Sequence, residues 1–161
     1  MNRTLDQSEA KAKEHHDSAA SRRERGAEIM RSVIGDKYFQ KRRESTNGFN
    51  EAIRRLSEEY CFGEIWSRPG LDKKVRSLLC ISMLIALNRG NELRLHVNGA
   101  LNNGCTVDEI KEVLLQATVY CGLPSGVEGV RIAEEALRER GIELDGQAGS
   151  GQRSTERVSD Q

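Results

Sequence analysis

Glu92 and His96 stand four residues apart in the run ELRLHVNGALNNG, Glu92 to Gly104. On a helix that interval places two side chains one above the other on the same face. An imidazole that titrates near neutral pH then has a carboxylate beside it, the pairing a general acid or base uses. The carboxylate is expected to hold the ring in one tautomer and to raise its pKa. The competing reading is a hydrogen-bonded core histidine, or a plain surface pair on a helix. Arg68 precedes Pro69 in EYCFGEIWSRPGL, and Arg76 lies about one turn after Asp72. Either guanidinium could grip a substrate carboxylate through its planar fork, a task Lys performs less well. An Arg76 to Asp72 salt bridge is the structural alternative. Trp66 and Tyr120, the latter in LLQATVYCGLP, are candidates for a pocket wall and equally suited to packing.

Other chemistries lack their residues. The sequence holds no Walker loop, dinucleotide glycine fingerprint or nucleophile elbow. Cys61, Cys80, Cys105 and Cys121 are widely spaced with no C-x-x-C pair, so reduced cysteines in or near the core are expected. His15 and His16 are adjacent in a polar stretch and are read as solvated, because a metal site needs more convergent ligands. No metal site is expected. Across 161 residues, 25 Lys and Arg balance 25 Asp and Glu, which leaves no global field to attract nucleic acid or an anionic membrane. The longest apolar stretch, Leu78 to Leu87, is broken by Ser82 and falls short of the roughly 20 residues a bilayer crossing needs. The first residues show no apolar core with a cleavage site, so a cytoplasmic protein is expected.

The elements that must position these side chains are helical. Residues 1–25 are polar and charged and read as a mobile arm, and residues 145–161 read as a disordered tail. One helical domain over 26–144 lies between them. Ile29, Met30, Val33 and Ile34 form a stripe on a short helix ended by Gly35. Phe49, Ile53, Leu56 and Tyr60 mark a second helix, followed by a loop over 61–71 where Gly63, Pro69 and Gly70 break the period. Asp72 caps a third, apolar almost all round from Val75 to Leu87 and therefore expected to be the buried central helix. The fourth carries Glu92 and His96 and closes at Gly104 in a left-handed cap. Thr106 and Glu109 form a capping box, with Cys105 and Ile110 as the flanking staple, and open a fifth helix. Ser125 and Glu128 offer a second box for a last helix that stops at Gly141. The fold class is all-α, about six helices in antiparallel pairs. Helices this apolar exceed what one small core covers, so a homo-oligomer is expected.

Taken together, EYCFGEIWSRPGL, RSLLCISMLIALNR, ELRLHVNGALNNGCTVDEIKEVLLQ and VYCGLPSGVEGVR resemble the 4-carboxymuconolactone decarboxylase family, from about Gly26 to Arg140. The resemblance implies a subunit with the alkylhydroperoxidase D-like helical fold, assembled as a homohexamer without metal or organic cofactor. Peroxidatic relatives carry C-x-x-C-x-x-x-H, with the histidine eight residues before a helix-ending glycine. Here His96 and Gly104 keep that interval, while Arg89 and Glu92 hold the cysteine positions. Without the thiol pair no relay between sulfurs can form, which disfavours a peroxidase. The implied reaction is decarboxylation of 4-carboxymuconolactone, or of a related carboxylated lactone or keto acid, to 3-oxoadipate enol-lactone and CO2 in protocatechuate breakdown. By the resemblance and the chemistry together, His96 donates the proton, Glu92 orients it, and Arg68 or Arg76 grips a carboxylate. Trp66 and Tyr120 line the pocket. A non-catalytic oligomeric scaffold is the alternative from another class.

Overall fold

A computed structural model of the chain describes residues 18–144. They form α1 (Ala19–Ile34), α2 (Asp36–Glu44), α3 (Glu51–Leu56), a π-helical segment (Ser57–Ile65), α4 (Lys73–Ala86), α5 (Gly90–Asn102), α6 (Val107–Cys121) and α7 (Leu123–Glu139). The fold is all-α, and no strand occurs among the described residues. Several ends follow the capping chemistry expected. The Asp72 carboxylate accepts from the Val75 amide at 2.7 Å and starts α4. Thr106 and Glu109 exchange both bonds of the capping box, at 3.1 and 2.8 Å, and the flanking Cys105 and Ile110 are buried. Gly104, with φ of 82°, closes α5 in the left-handed region.

Two clusters make the interior. The larger is built by α4 to α7 around Ile81, Ile85, Leu93, Val97, Leu114 and Ala136. Asn103 Nδ2 donates to Ser77 Oγ at 2.8 Å and ties the end of α5 to the start of α4, so the two helices run antiparallel. The smaller cluster, Met30, Val33, Ile34, Phe39, Phe62 and Trp66, joins α1 and α2 to the π segment. Here α1 lies backbone to backbone on its partner: a Cβ on Gly26 would sit 1.8 Å from the Glu58 carbonyl oxygen, and one on Gly63 would sit 2.2 Å from that of Arg22. Arg25 reinforces the contact by donating from Nε and Nη2 to the Gly63 carbonyl at 3.0 and 2.8 Å. Asn102 Nδ2 donates to the Val33 carbonyl at 2.9 Å and fixes α1 to α5. The π segment, and Trp66 just after it, are thereby held beside the helix that carries His96.

Five expectations are corrected. The polar arm placed over residues 1–25 is helical from Ala19, capped by Ser18 and tied down by the Arg25 bonds and by Arg23 to Glu58 at 3.0 Å. Its remainder, residues 1–17 with His15 and His16, and the tail 145–161 lie outside the described residues. Helix α2 is additional, and its single buried residue, Phe39, leaves no stripe to read. The 61–71 segment continues helically as far as Ile65, with Trp66 N donating to the Cys61 carbonyl at 2.9 Å, five residues back. The glycine read there as a breaker, Gly63, instead permits the approach of α1. Helix α7 begins at Leu123, with Pro124 in its first turn, and Ser125 Oγ donates to Asn88 Oδ1 rather than capping.

The last correction bears most on function. Helix α4 is not buried all round: Ser77, Ile81 and Ile85 face the core, whereas Val75, Leu79, Met83 and Leu87 are 38 to 66% exposed. None of the described helices is long and apolar enough to cross a membrane.

Candidate active site

His96 is half-buried on α5, its ring centroid 6.4 Å from that of Trp66 and tilted by 35°. Trp66 in turn stacks on Phe62 at 5.5 Å and is itself buried. The imidazole Nδ1 is buried and has no hydrogen-bond partner. An orphaned polar atom in such a place is costly, so its retention marks a position awaiting a ligand. Burial pushes the His96 pKa below its ordinary value, while Glu92 pulls it upward with the smaller effect. The expected rise is therefore reversed. Glu92 is exposed in the first turn of α5, and its carboxylate does not engage Nδ1, so its influence on the ring is through charge.

Arg76 sits on α4 in the stripe Arg76, Cys80, Met83 and Leu87, spaced at four, three and four. It does not pair with Asp72. Its Nε donates to the Leu71 carbonyl at 3.2 Å and its Nη2 to that of Arg68 at 3.1 Å, clamping the 68–71 turn onto α4. No carboxylate ion pair to Arg76 forms among the described residues. Arg68 points outward, exposed and 4.0 Å from Glu64.

One turn beyond Arg76, Cys80 and, from α5, Leu95 pack against the Phe62 and Trp66 cluster. Burial, with the Cys61 thiol adding in the same direction and Arg76 opposing, lifts the Cys80 pKa to about 11. Trp66, Arg76, Cys80 and His96 thus border one region, with Glu92 at its edge. Tyr120 is 79% exposed at the far end of α6 and makes no ring contact with Trp66 or His96. The protomer does not bring it to the site.

Cys80, Leu95 and Phe62 went unsingled in the sequence. The spacing from Arg76 to Cys80 was the available signal, but a thiol in an apolar helix looks like core filling. In the structure Cys105 is buried, Cys80 and Cys121 are half-buried, Cys61 is exposed, and all four are free. Among the described residues, no group of three or more His, Cys, Asp or Glu could hold a metal ion.

This geometry sits in a stretch of known kinship. Residues 51–135, from α3 into α7, match the carboxymuconolactone decarboxylase family. The chain is 40% identical over 121 residues to the 4-carboxymuconolactone decarboxylase of Acinetobacter baylyi, an alignment covering 75% of this chain and 90% of that one. It is 37% identical over 114 residues to nitrosuccinic acid decarboxylase of Metarhizium robertsii, covering 71% and 80%. The chain belongs to the carboxymuconolactone decarboxylase family. It is an enzyme of the carboxy-lyase type.

Proposed function

We propose that this protein decarboxylates 4-carboxymuconolactone, or a related carboxylated lactone or keto acid, without a cofactor, giving 3-oxoadipate enol-lactone and CO2. The observation that carries the reading is His96, with its buried, unpartnered Nδ1 against Trp66, in a chain akin to two decarboxylases. Both relatives' names point to acids that hold their own electron sink. A carboxylate leaving the lactone ring carbon passes its electron pair through the double bond to the lactone carbonyl, as a dienolate. A carboxylate leaving beside a nitro group passes it to that group. What remains for the protein is to bind the second carboxylate, stabilise the oxyanion and deliver one proton to carbon.

Each step has a residue. Arg76 binds the carboxylate arm, since its guanidinium lies on the face of α4 shared with Cys80 and has no ion-pair partner of its own. Arg68 is the second candidate. Burial leaves His96 neutral in the empty site, and an anionic substrate reverses that balance, so that the imidazolium forms beside it. As the C–C bond breaks and CO2 departs, the imidazolium protonates the α-carbon of the dienolate. Water then returns a proton to the ring. Glu92 supports the charged form, and Trp66 walls the reacting centre from solvent. Tyr120 could line this pocket only from another subunit. In this reading the enzyme is a cytoplasmic homohexamer of protocatechuate breakdown by the β-ketoadipate route.

The test is direct: purified protein is given freshly prepared 4-carboxymuconolactone, and CO2 and enol-lactone are followed together. Equal rates of both support the reading. A substrate that decays only at its spontaneous rate removes it, and leaves the related acids, nitrosuccinate among them, to be tried in the same way.

A further inference from the structure

Five cavities of the protomer, of about 70 to 590 Å³, are lined by neither His96, Trp66, Arg76 nor Glu92. The groups named for catalysis therefore border an open surface rather than a pocket, which is unusual for a site that must exclude water. What adjoins them is apolar. Tyr60, Ile65, Leu71, Val75, Leu79, Met83 and Leu87 are 37 to 66% exposed along α4 and the neighbouring π segment. We propose that a second copy of this chain seats on this α4 face and closes over His96, so that the substrate pocket is completed only in the assembly. The inference rests on His96 as the catalytic centre.

The surface itself argues for a second copy. At roughly 150 to 200 Å² per fully exposed large side chain, these residues offer about 600 Å² of apolar surface, at the upper limit of what monomers leave uncovered. A second group, Leu115, Val119, Tyr120, Leu123 and Val127, is 50 to 79% exposed at the junction of α6 and α7 and offers a similar area. Together the two faces exceed the approximately 800 Å² per partner of a standard interface. Two apolar faces on one chain suit repeated contacts between identical subunits, because each copy then covers both. Formal net charge is zero, so copies approach without mutual repulsion. Arg76 and Cys80 lie on the same α4 stripe as Met83 and Leu87, so a subunit placed on that stripe lies over the reacting region. The orphaned Nδ1 is the kind of atom such closure would seal off from bulk water.

The experiment uses the full chain with Leu79→Glu and Met83→Glu combined, both side chains about half exposed in the protomer. Sedimentation velocity reads the assembly, and mass spectrometry reads the rate at which diethyl pyrocarbonate modifies His96. The second readout needs no substrate, so it stands even if the decarboxylation assay finds none. The expected result is a smaller species with unchanged helical circular dichroism, several-fold faster His96 modification, and kcat/KM lower by about 10²-fold where substrate is turned over. Val119→Glu with Val127→Glu, on the other face, should reduce the assembly while His96 stays protected. Should the α4 variant fold poorly, dilution of the unaltered protein until it dissociates provides the same comparison. A monomeric parent protein overturns the proposal, as does a dissociated, folded α4 variant whose His96 reacts at the parent rate.

Discussion

Gly26→Ala tests whether the contact between α1 and the π segment holds the site together. A Cβ there would meet the Glu58 oxygen at 1.8 Å and the Gly63 nitrogen at 2.8 Å, both backbone atoms that no rotamer change can move aside. Carbon and oxygen settle at roughly 3.3 Å, so the two elements must part by about 1.5 Å. Such overpacking costs about 1 to 3 kcal/mol. The two Arg25 bonds to the Gly63 carbonyl cross the same seam and weaken with it. The gain in helix propensity from Gly to Ala is only about 1 kcal/mol, so the clash decides the sign. A net loss of about 2 to 3 kcal/mol should lower Tm by roughly 4 to 12 °C. Thermal circular dichroism reads that change, and emission from Trp66, the single tryptophan, reads the opening of the seam. Gly70→Ala, with nothing within 4 Å of its added carbon, should leave both unchanged. A Gly26→Ala protein that melts with its parent and emits identically would refute the account of this contact.

Other outcomes follow from the site. His96→Ala should lose on the order of 10²- to 10⁴-fold in kcat, the usual share of a positioned acid, with the circular dichroism of the parent. Because burial lowers the His96 pKa, the protonated free enzyme is lost as pH rises through that depressed value, so kcat/KM should fall on its alkaline side. Glu92→Gln removes the opposing upward pull and should move that limb to still lower pH; a limb that stays in place separates Glu92 from His96. Arg76→Lys should raise KM more than Arg68→Lys, since Arg68 is exposed and already near Glu64. Equal effects in steady-state kinetics would deny Arg76 its role. Peroxide reduction by thiols should be negligible, and turnover abolished by replacing any one of the four cysteines would contradict that.

Much of the fold was legible because its signals are local. The Asp72 cap, the Thr106 and Glu109 box and the Gly104 closure each depend on a few adjacent residues, and each forms where the sequence placed it. The π segment was illegible for the opposite reason. Gly63 reads as a breaker until α1 arrives on top of it, a contact between residues far apart in sequence. Helix α4 misled because apolar composition reports what must be covered and not which chain covers it. At the site, Glu92 and His96 could be chosen from their spacing, but their balance of charge could not. The sign of the His96 shift depends on burial beside Trp66, a tertiary contact, and this outweighs the neighbouring carboxylate. Tyr120 was chosen by motif alone, and its place at the exposed end of α6 depends on how the helices assemble.

The central claim is that His96 supplies the proton that completes a decarboxylation, and turnover of 4-carboxymuconolactone by the parent protein and by His96→Ala tests it most directly. The account predicts that the parent releases CO2 and enol-lactone in equal amounts, and that His96→Ala, folded and assembled, falls toward the spontaneous rate. Full activity in His96→Ala would contradict it and return the Glu92 and His96 pair to an ordinary helix contact.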